Sequence, residues 1–383
     1  TRYNVYFHGK NAFDETYNSF VASYSESYSR QIFLDPIEAQ RGALKEQKGG
    51  AFDPALAKGQ TAIKLHSIRT KPERKGRPSA REAEFYKRRE YNTFLHNAWL
   101  LVGKSQFYNG DFLDAMATFS YMSRLYATEP AIRDEARLWQ VRSYTAMGWL
   151  HEAEEMIRTL QTDASYLRKS QVYDKTLAEV ALSKGRIDEA IEPLRRAIAK
   201  EESRTEKLRM RYLLGQLLVR SGRPGEAQKV FRSLLSKAPP FALEFATQLR
   251  LVEIEAERNV RRAITTTEKM ARRGRNKEVL DRLYLTQGDL YLRQLDSLSA
   301  LKSYNLGVEK STEHGGDFAL CAVAAGQIYL AKRDWDEAQK SFATGVAALP
   351  KSHPKSEEYT TLSKQLDALA LHVRAVAEQD SLR

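Results

Sequence analysis

The 383-residue sequence predicts an all-α fold, a right-handed solenoid of about seven helical hairpins, and three observations point to it. The position that holds Gly103, Gly215, Gly288 and Gly326 recurs at 103, 141, 178, 215, 251, 288 and 326, in steps of 38, 37, 37, 36, 37 and 38. A second position is alanine in every unit, at Ala115, Ala153, Ala190, Ala227, Ala263, Ala300 and Ala338. Between the two lie Gly110, Gly148, Gly185 and Gly222, where a left-handed residue ends a helix most easily as glycine.

The reason for the pattern is steric. Two helices of a hairpin cross closely only where one side chain is very small, and a large apolar neighbour fills the space beside it. The best-preserved unit, Lys207 to Pro239, sets Leu214 and Gly215 in a first helix, Gly222 at the turn, Ala227 and Phe231 in a second helix, and Pro239 at its exit. That spacing is the tetratricopeptide (TPR) one. The same frame carries Trp99, Gly103 and Phe119, then Tyr144 and Ile157, then Leu177 and Ala197. It continues through the degenerate Leu251 unit to Gly288, Tyr291 and Tyr304, and last to Tyr329, Phe342 and Pro350. Arg333 stands where the earlier units have the turn glycine.

The domain reading follows in chain order. Residues 1–68 form an N-terminal helical segment, in which Tyr6-Phe7-His8-Gly9 echoes Phe107-Tyr108-Asn109-Gly110 and predicts a helix ending near Gly9, then a long second helix. Residues 69–80 hold five cations, two prolines and a glycine, and read as a basic flexible linker. The TPR repeat array spans 81–350. Residues 351–383 form a C-terminal capping helix, with Leu362, Leu366, Leu369 and Val373 at helical spacing.

Chemistry is sparse. The seven histidines show no HExxH pairing, and Cys321, among alanines, reads as a buried free thiol, so neither a metal site nor a cofactor is expected. Gly103-Lys104-Ser105 imitates the end of a phosphate loop, but Ala98 stands where that loop needs glycine. No GxSxG elbow occurs, and no catalytic residue is assigned. Trp99, Trp139, Trp149 and Trp335 fall at packing positions.

Sixty-one Lys and Arg against 49 Asp and Glu give a net charge of +12, which favours acidic partners. First helices of such arrays line the inner face, and their non-packing positions are Lys104, Arg142, Lys175, Arg209, Arg220, Arg282 and Arg293, interleaved with Phe107, Tyr108, Tyr212 and Leu292. These are the candidate partner-binding residues, expected to face solvent in a groove for an extended or helical segment bearing carboxylates. Glu179, Glu255 and Asp289 dilute the charge. An alternative is a basic helical-repeat protein binding nucleic acid, but these positions lack the one-base-per-repeat code such readers use, so protein partners and no nucleic acid are expected.

Three stretches carry a further resemblance: Ala62 to Ile68, the basic Lys71 to Lys75, and Glu90 to Trp99. With the opening Arg2 to Gly9, and onward through Gly110-Asp-Phe and Arg137-Leu-Trp139 to about Leu160, they resemble the PorW/SprE family. These are TPR lipoproteins of the Bacteroidetes type IX secretion system, the apparatus of protein transport and gliding motility. The resemblance implies a periplasmic scaffold, anchored to the outer membrane by a lipidated cysteine lying before Thr1, that connects the secretion ring and motor to the translocon. It implies no catalytic residues.

Overall fold

The computed structural model describes residues 4–24, 26–35, 50–73, 76, 79–163, 167, 170–351 and 353–381. All regular secondary structure among them is helical. The chain divides into two compact units, Thr1–Ala246 and Thr247–Arg383.

The first unit begins with α1 (Asn4–Ser23), α2 (Asp53–His66) and the short α3 (Ala80–Phe85). Four hairpins follow: α4 (His96–Asn109) with α5 (Phe112–Leu125), α6 (Pro130–Met147) with α7 (Leu150–Asp163), α8 (Gln171–Ser183) with α9 (Ile187–Lys200), and α10 (Arg204–Arg220) with α11 (Pro224–Leu235). Each helix packs on the next, and first helices also touch the first helix of the following hairpin, α4 on α6 and α6 on α8. The unit boundary falls within α12 (Phe241–Ala256). The second unit continues with α13 (Val260–Ala271), a 3-10 turn at Gly274–Val279, α14 (Leu280–Arg293) with α15 (Ser297–Lys310), α16 (Gly316–Ala331) with α17 (Trp335–Ala348), and α18 (Ser356–Ser381). The chain is a TPR-type helical repeat solenoid.

The local signals act as the steric argument requires. All seven phase alanines have 0% exposure. A Cβ added to Gly103 would stand 2.5 Å from the Phe119 ring, and one on Gly326 2.8 Å from Phe342; Gly215 meets Phe231 and Gly288 meets Tyr304 in the same way. The aromatic sixteen residues downstream therefore packs directly against the glycine of its own hairpin. Replacing Ala227 by Phe should overpack this crossing and destabilise by roughly 1–3 kcal/mol; denaturant unfolding of the first unit measures it, and unchanged stability would mean the assigned phase is wrong.

Gly110, Gly148, Gly185 and Gly222 all have positive φ, between 72° and 90°. Leu295 (60°) and Arg333 (61°) adopt the left-handed turn without glycine, at a strain that the flanking helices impose. Side chains finish the helices: Ser203 accepts from Glu206 N, Asn259 from Arg262 N, and Asp334 from Glu337 N.

The expected break near Gly9 is absent. The helix α1 runs unbroken, and Gly9 is buried where α2 crosses, an added Cβ meeting Lys58 Cβ at 2.9 Å. Its glycine serves close approach and not a turn. At the other end α18 packs through Tyr359, Leu362, Leu366 and Ala370, with Leu369 turned outward.

The basic segment after residue 68 is pinned at its base. Buried Glu90 accepts from Ser67 Oγ (2.6 Å), Ile68 N (2.8 Å) and Asn92 N (2.9 Å), and Arg69 sits 3.2 Å from it. Arg74, Lys75, Arg77 and Pro78 lie outside the described residues. Arg74 and Lys75 leave trypsin adjacent sites in a Pro- and Gly-rich stretch, Lys71 and Arg77 being protected by the prolines that follow them, so the first cut by limited trypsin is expected there; first cuts inside the repeats would show instead that the segment is docked.

Candidate partner-binding groove

The first helices of the first unit share an inner face, and α10 sets its most polar row. Arg209, Tyr212, Gln216 and Arg220 follow at i, i+3, i+7 and i+11, which places them along one side of a helix. Leu213, Leu217 and Leu218 are fully buried elsewhere on the same helix and fix it.

That row holds a stretch of the chain itself. After α1 the backbone leaves helical geometry, and residues 26–35, here called the strap, lie along the inner face. The strap turns at Ser27–Arg30, where Arg30 N donates to Ser27 O (3.4 Å). Glu26 on the outgoing arm receives Arg209 Nε at 2.6 Å. The returning arm offers the same guanidinium the carbonyl of Leu34 (2.9 Å) and that of Phe33. Tyr212 donates its hydroxyl to Tyr28 O (3.0 Å), the two rings meeting edge to face at 5.2 Å. Gln216 reads the backbone twice, giving Nε2–H to Arg30 O (2.8 Å) and accepting Ile32 N–H (3.1 Å). Arg220 donates to Gln31 at the tip.

Further along, Arg142 reaches Asp35 (3.3 Å) and Glu179 (3.1 Å) while its guanidinium lies 4.6 Å over the Trp139 ring; Tyr108 donates to Asp35 (3.3 Å). Ile32 and Leu34 are buried, and so are Arg209 and Arg142. Burial pushes the Tyr28 hydroxyl up to about 12 with the Glu26 charge adding to it, and holds Tyr108 well above its ordinary value.

The sequence-derived residues thus divide. Tyr108, Arg142, Arg209, Tyr212 and Arg220 do gather on the inner face, where they hold the chain's own strap; the first four are buried, and only Arg220, at the strap tip, faces solvent as expected. The expectation that Arg209 is solvated is corrected: removal of water by the strap and the Glu26 carboxylate makes it a buried ion pair. Phe107 is not an anchor for a ligand, because it is fully enclosed by Phe112, Trp139 and Tyr108. Lys104 lies 5.0 Å over Trp139 with Glu135 at 3.8 Å, and burial lowers its pKa. Lys175 pairs with Glu201 (2.9 Å). In the second unit Arg282 pairs with Asp317 and Arg293 with Glu257, both at 2.9 Å, and Leu292 is exposed. Trp149, expected to pack, is 44% exposed and stacks on Tyr144.

Two features escape the repeat frame. Gln216 makes the double backbone contact, yet a lone glutamine on a helix carries no signal. The strap does leave a faint one, the apolar run Ile32-Phe33-Leu34 set between Gln31 and Asp35 and too short for a helix. The second feature is a stripe in the second unit: residues 258–277 carry eight cations, from Arg258 to Lys277, against the single carboxylate Glu268, and all eight are exposed. Cys321 is fully buried, burial raising its thiol pKa. Among the described residues no group of three or more His, Cys, Asp or Glu gathers as metal ligands, and no helix is long and apolar enough to cross a membrane.

Comparison with known proteins finds the repeat over part of the first unit. Residues 175–242 match the tetratricopeptide repeat family model. The match contains α10 and its whole polar row. Among solved structures, a tetratricopeptide repeat protein from Parabacteroides merdae is 13% identical with a TM-score of 0.34, covering 86% of this chain and 98% of that one. Yeast Tom70 is 14% identical with a TM-score of 0.39, covering 91% of this chain; this chain spans 66% of Tom70's length in that structure. No curated protein matches the sequence.

Proposed function

We propose that the chain is a non-enzymatic scaffold that binds protein partners through its repeat surface. The observation that carries this reading is the strap: the inner face of the first unit already binds an extended polypeptide, by a charged clamp, backbone hydrogen bonds and two buried aliphatic side chains. The tetratricopeptide match over α8–α11 supports it, since arrays of stacked helical hairpins present extended concave binding surfaces.

The N-terminal third, by its resemblance to the PorW/SprE family, supports a more specific role. In it the protein is an outer-membrane-anchored periplasmic lipoprotein that links the ring and motor of the type IX secretion system to the outer-membrane translocon. Affinity capture from the protein's own envelope tests both. Native protein is expected to retain ring and translocon components, and a variant with Arg220→Glu, Arg282→Glu and Arg293→Glu to retain at least ten-fold less at unchanged helical content. Arg209 is left out because reversing a buried charge would disturb the fold. Equal capture by both forms would remove these first-helix arginines, in either unit, as the site.

The basic stripe at 258–277 favours the second reading, nucleic acid binding. Six to ten phosphate contacts lose roughly 10³- to 10⁵-fold in affinity between about 50 and 200 mM salt. Labelled DNA or RNA is therefore expected to dissociate at physiological salt. Retention there, abolished by Arg261→Glu with Arg272→Glu, would put this reading first.

A further inference from the structure

We propose that the inner face of the first four hairpins accepts from a partner protein an extended segment of the strap's own chemistry, and that the strap occupies this place until such a segment displaces it. The chemistry is a carboxylate followed six and eight residues later by two aliphatic side chains, as Glu26, Ile32 and Leu34 are spaced. The inference rests on reading the repeat surface as protein-binding, and it adds the identity of the ligand and the competition for its site.

Three observations carry it. First, α10 recognises the strap mainly through its main chain. Tyr212 and Gln216 bond the carbonyls of Tyr28 and Arg30 and the amide of Ile32, and Arg209 bonds the carbonyls of Phe33 and Leu34. Main-chain groups are common to every polypeptide, so a foreign segment in the same path meets the same donors and acceptors. The side-chain requirements reduce to a carboxylate for Arg209 and apolar groups at the two buried positions.

Second, apart from its one turn the strap has no regular structure of its own, so what holds it is the groove. The reading row, in contrast, sits on a helix fixed by its buried leucines and glycine, and its spacing exists whether or not the strap is seated. Third, charges match along the path, Glu26 on Arg209 and Asp35 on Arg142. A segment with acidic residues near both ends meets an arginine at both places, each shared with a carboxylate of the repeats, Glu206 beside Arg209 (3.7 Å) and Glu179 beside Arg142 (3.1 Å).

Tethering gives the strap an effective concentration of roughly millimolar, so a free segment of equal intrinsic affinity competes poorly until the strap is weakened. The test uses a fluorescent synthetic peptide with the sequence of residues 24–35 and three forms of the full chain. These are the native protein, the variant Ile32→Asp with Leu34→Asp, and the variant Gln31→Cys with Arg220→Cys, whose side chains meet at the strap tip and can be joined by a short bismaleimide. The native Cys321 is buried and does not compete for the reagent.

The strap-weakened variant is expected to bind the peptide at least ten-fold more tightly than the native protein, and a peptide with Glu26→Lys and Ile32→Asp not to bind it. The cross-linked form is expected to lose the weak binding that the same variant shows before cross-linking, which decides the matter even where the double-Asp variant is poorly folded. Equal binding to all forms, or none to a strap-weakened variant that keeps its helical content, would overturn the proposal. Equal capture of secretion components before and after cross-linking would also overturn it, while leaving the scaffold reading in place.

Discussion

Phe231→Ala is expected to lower the stability of the first unit by about 3–5 kcal/mol, the range for removing a fully enclosed aromatic ring from a core that cannot collapse. The ring has 0% exposure, covers Gly215 in its own hairpin and lies 5.7 Å from the Tyr212 ring. Because Gly215 has no side chain to move into the space, a cavity remains between α10 and α11. Denaturant unfolding monitored by far-ultraviolet circular dichroism measures the loss, read in the transition of the first unit because a chain of two units need not unfold in one step. The effect should extend to the groove, since Tyr212 packs on the same ring. A loss below about 1 kcal/mol would show that the aromatic-over-glycine contact is not the core of the hairpin.

Arg209→Leu is expected to be equally severe but local. It strands the Glu26 carboxylate, only 7% of whose side chain is exposed, with Tyr24 Oη as the partner that remains, 2.7 Å away. Breaking a buried ion pair by deleting one partner costs about 3–5 kcal/mol, more than a short non-helical segment can withstand. The strap should therefore leave the groove while the hairpins stay folded. Trypsin cleavage at Arg30, at the strap's turn, reads this out, and it should rise by at least ten-fold in the variant at unchanged circular dichroism. Adding Glu26→Leu should restore much of the protection, because an apolar pair replaces the stranded charge. Were Arg30 no more readily cut in Arg209→Leu, the clamp would not be what seats the strap.

The repeat frame was legible because it rests on short-range steric rules. Alanine at seven crossings and glycine at four turns leave a phase in the sequence, and the seven buried alanines and four positive φ angles obey it. Arg333 was legible by position as well, since the phase demands a left-handed turn even where glycine is lost.

The groove's occupancy was not legible. Arg209 and Glu26 are 183 residues apart, and helical periodicity around Arg209 says only which side of α10 it occupies. Whether water or another part of the chain covers that side is a tertiary fact. Gly9 misled for a related reason: glycine at a helix end and glycine at a close crossing look alike in sequence, and the difference is the Lys58 Cβ beside it. Phe107 was placed on the inner face by spacing, while Trp139 and Phe112 draw its ring into the core.

The central claim, that the inner face of the repeats binds protein partners, is tested most directly by site-specific photo-crosslinking in the native envelope. A photoreactive residue is placed at Lys104, Lys175 or Arg220, and at the exposed Lys229 on α11, a second helix of the same unit, as a control off the first-helix face, and the products are read by mass spectrometry. The expected result is cross-links from the inner-face positions to defined segments of secretion ring or translocon proteins, with few from the control. Cross-links from Lys229 alone, or from inner-face positions only to the chain's own strap, would contradict it.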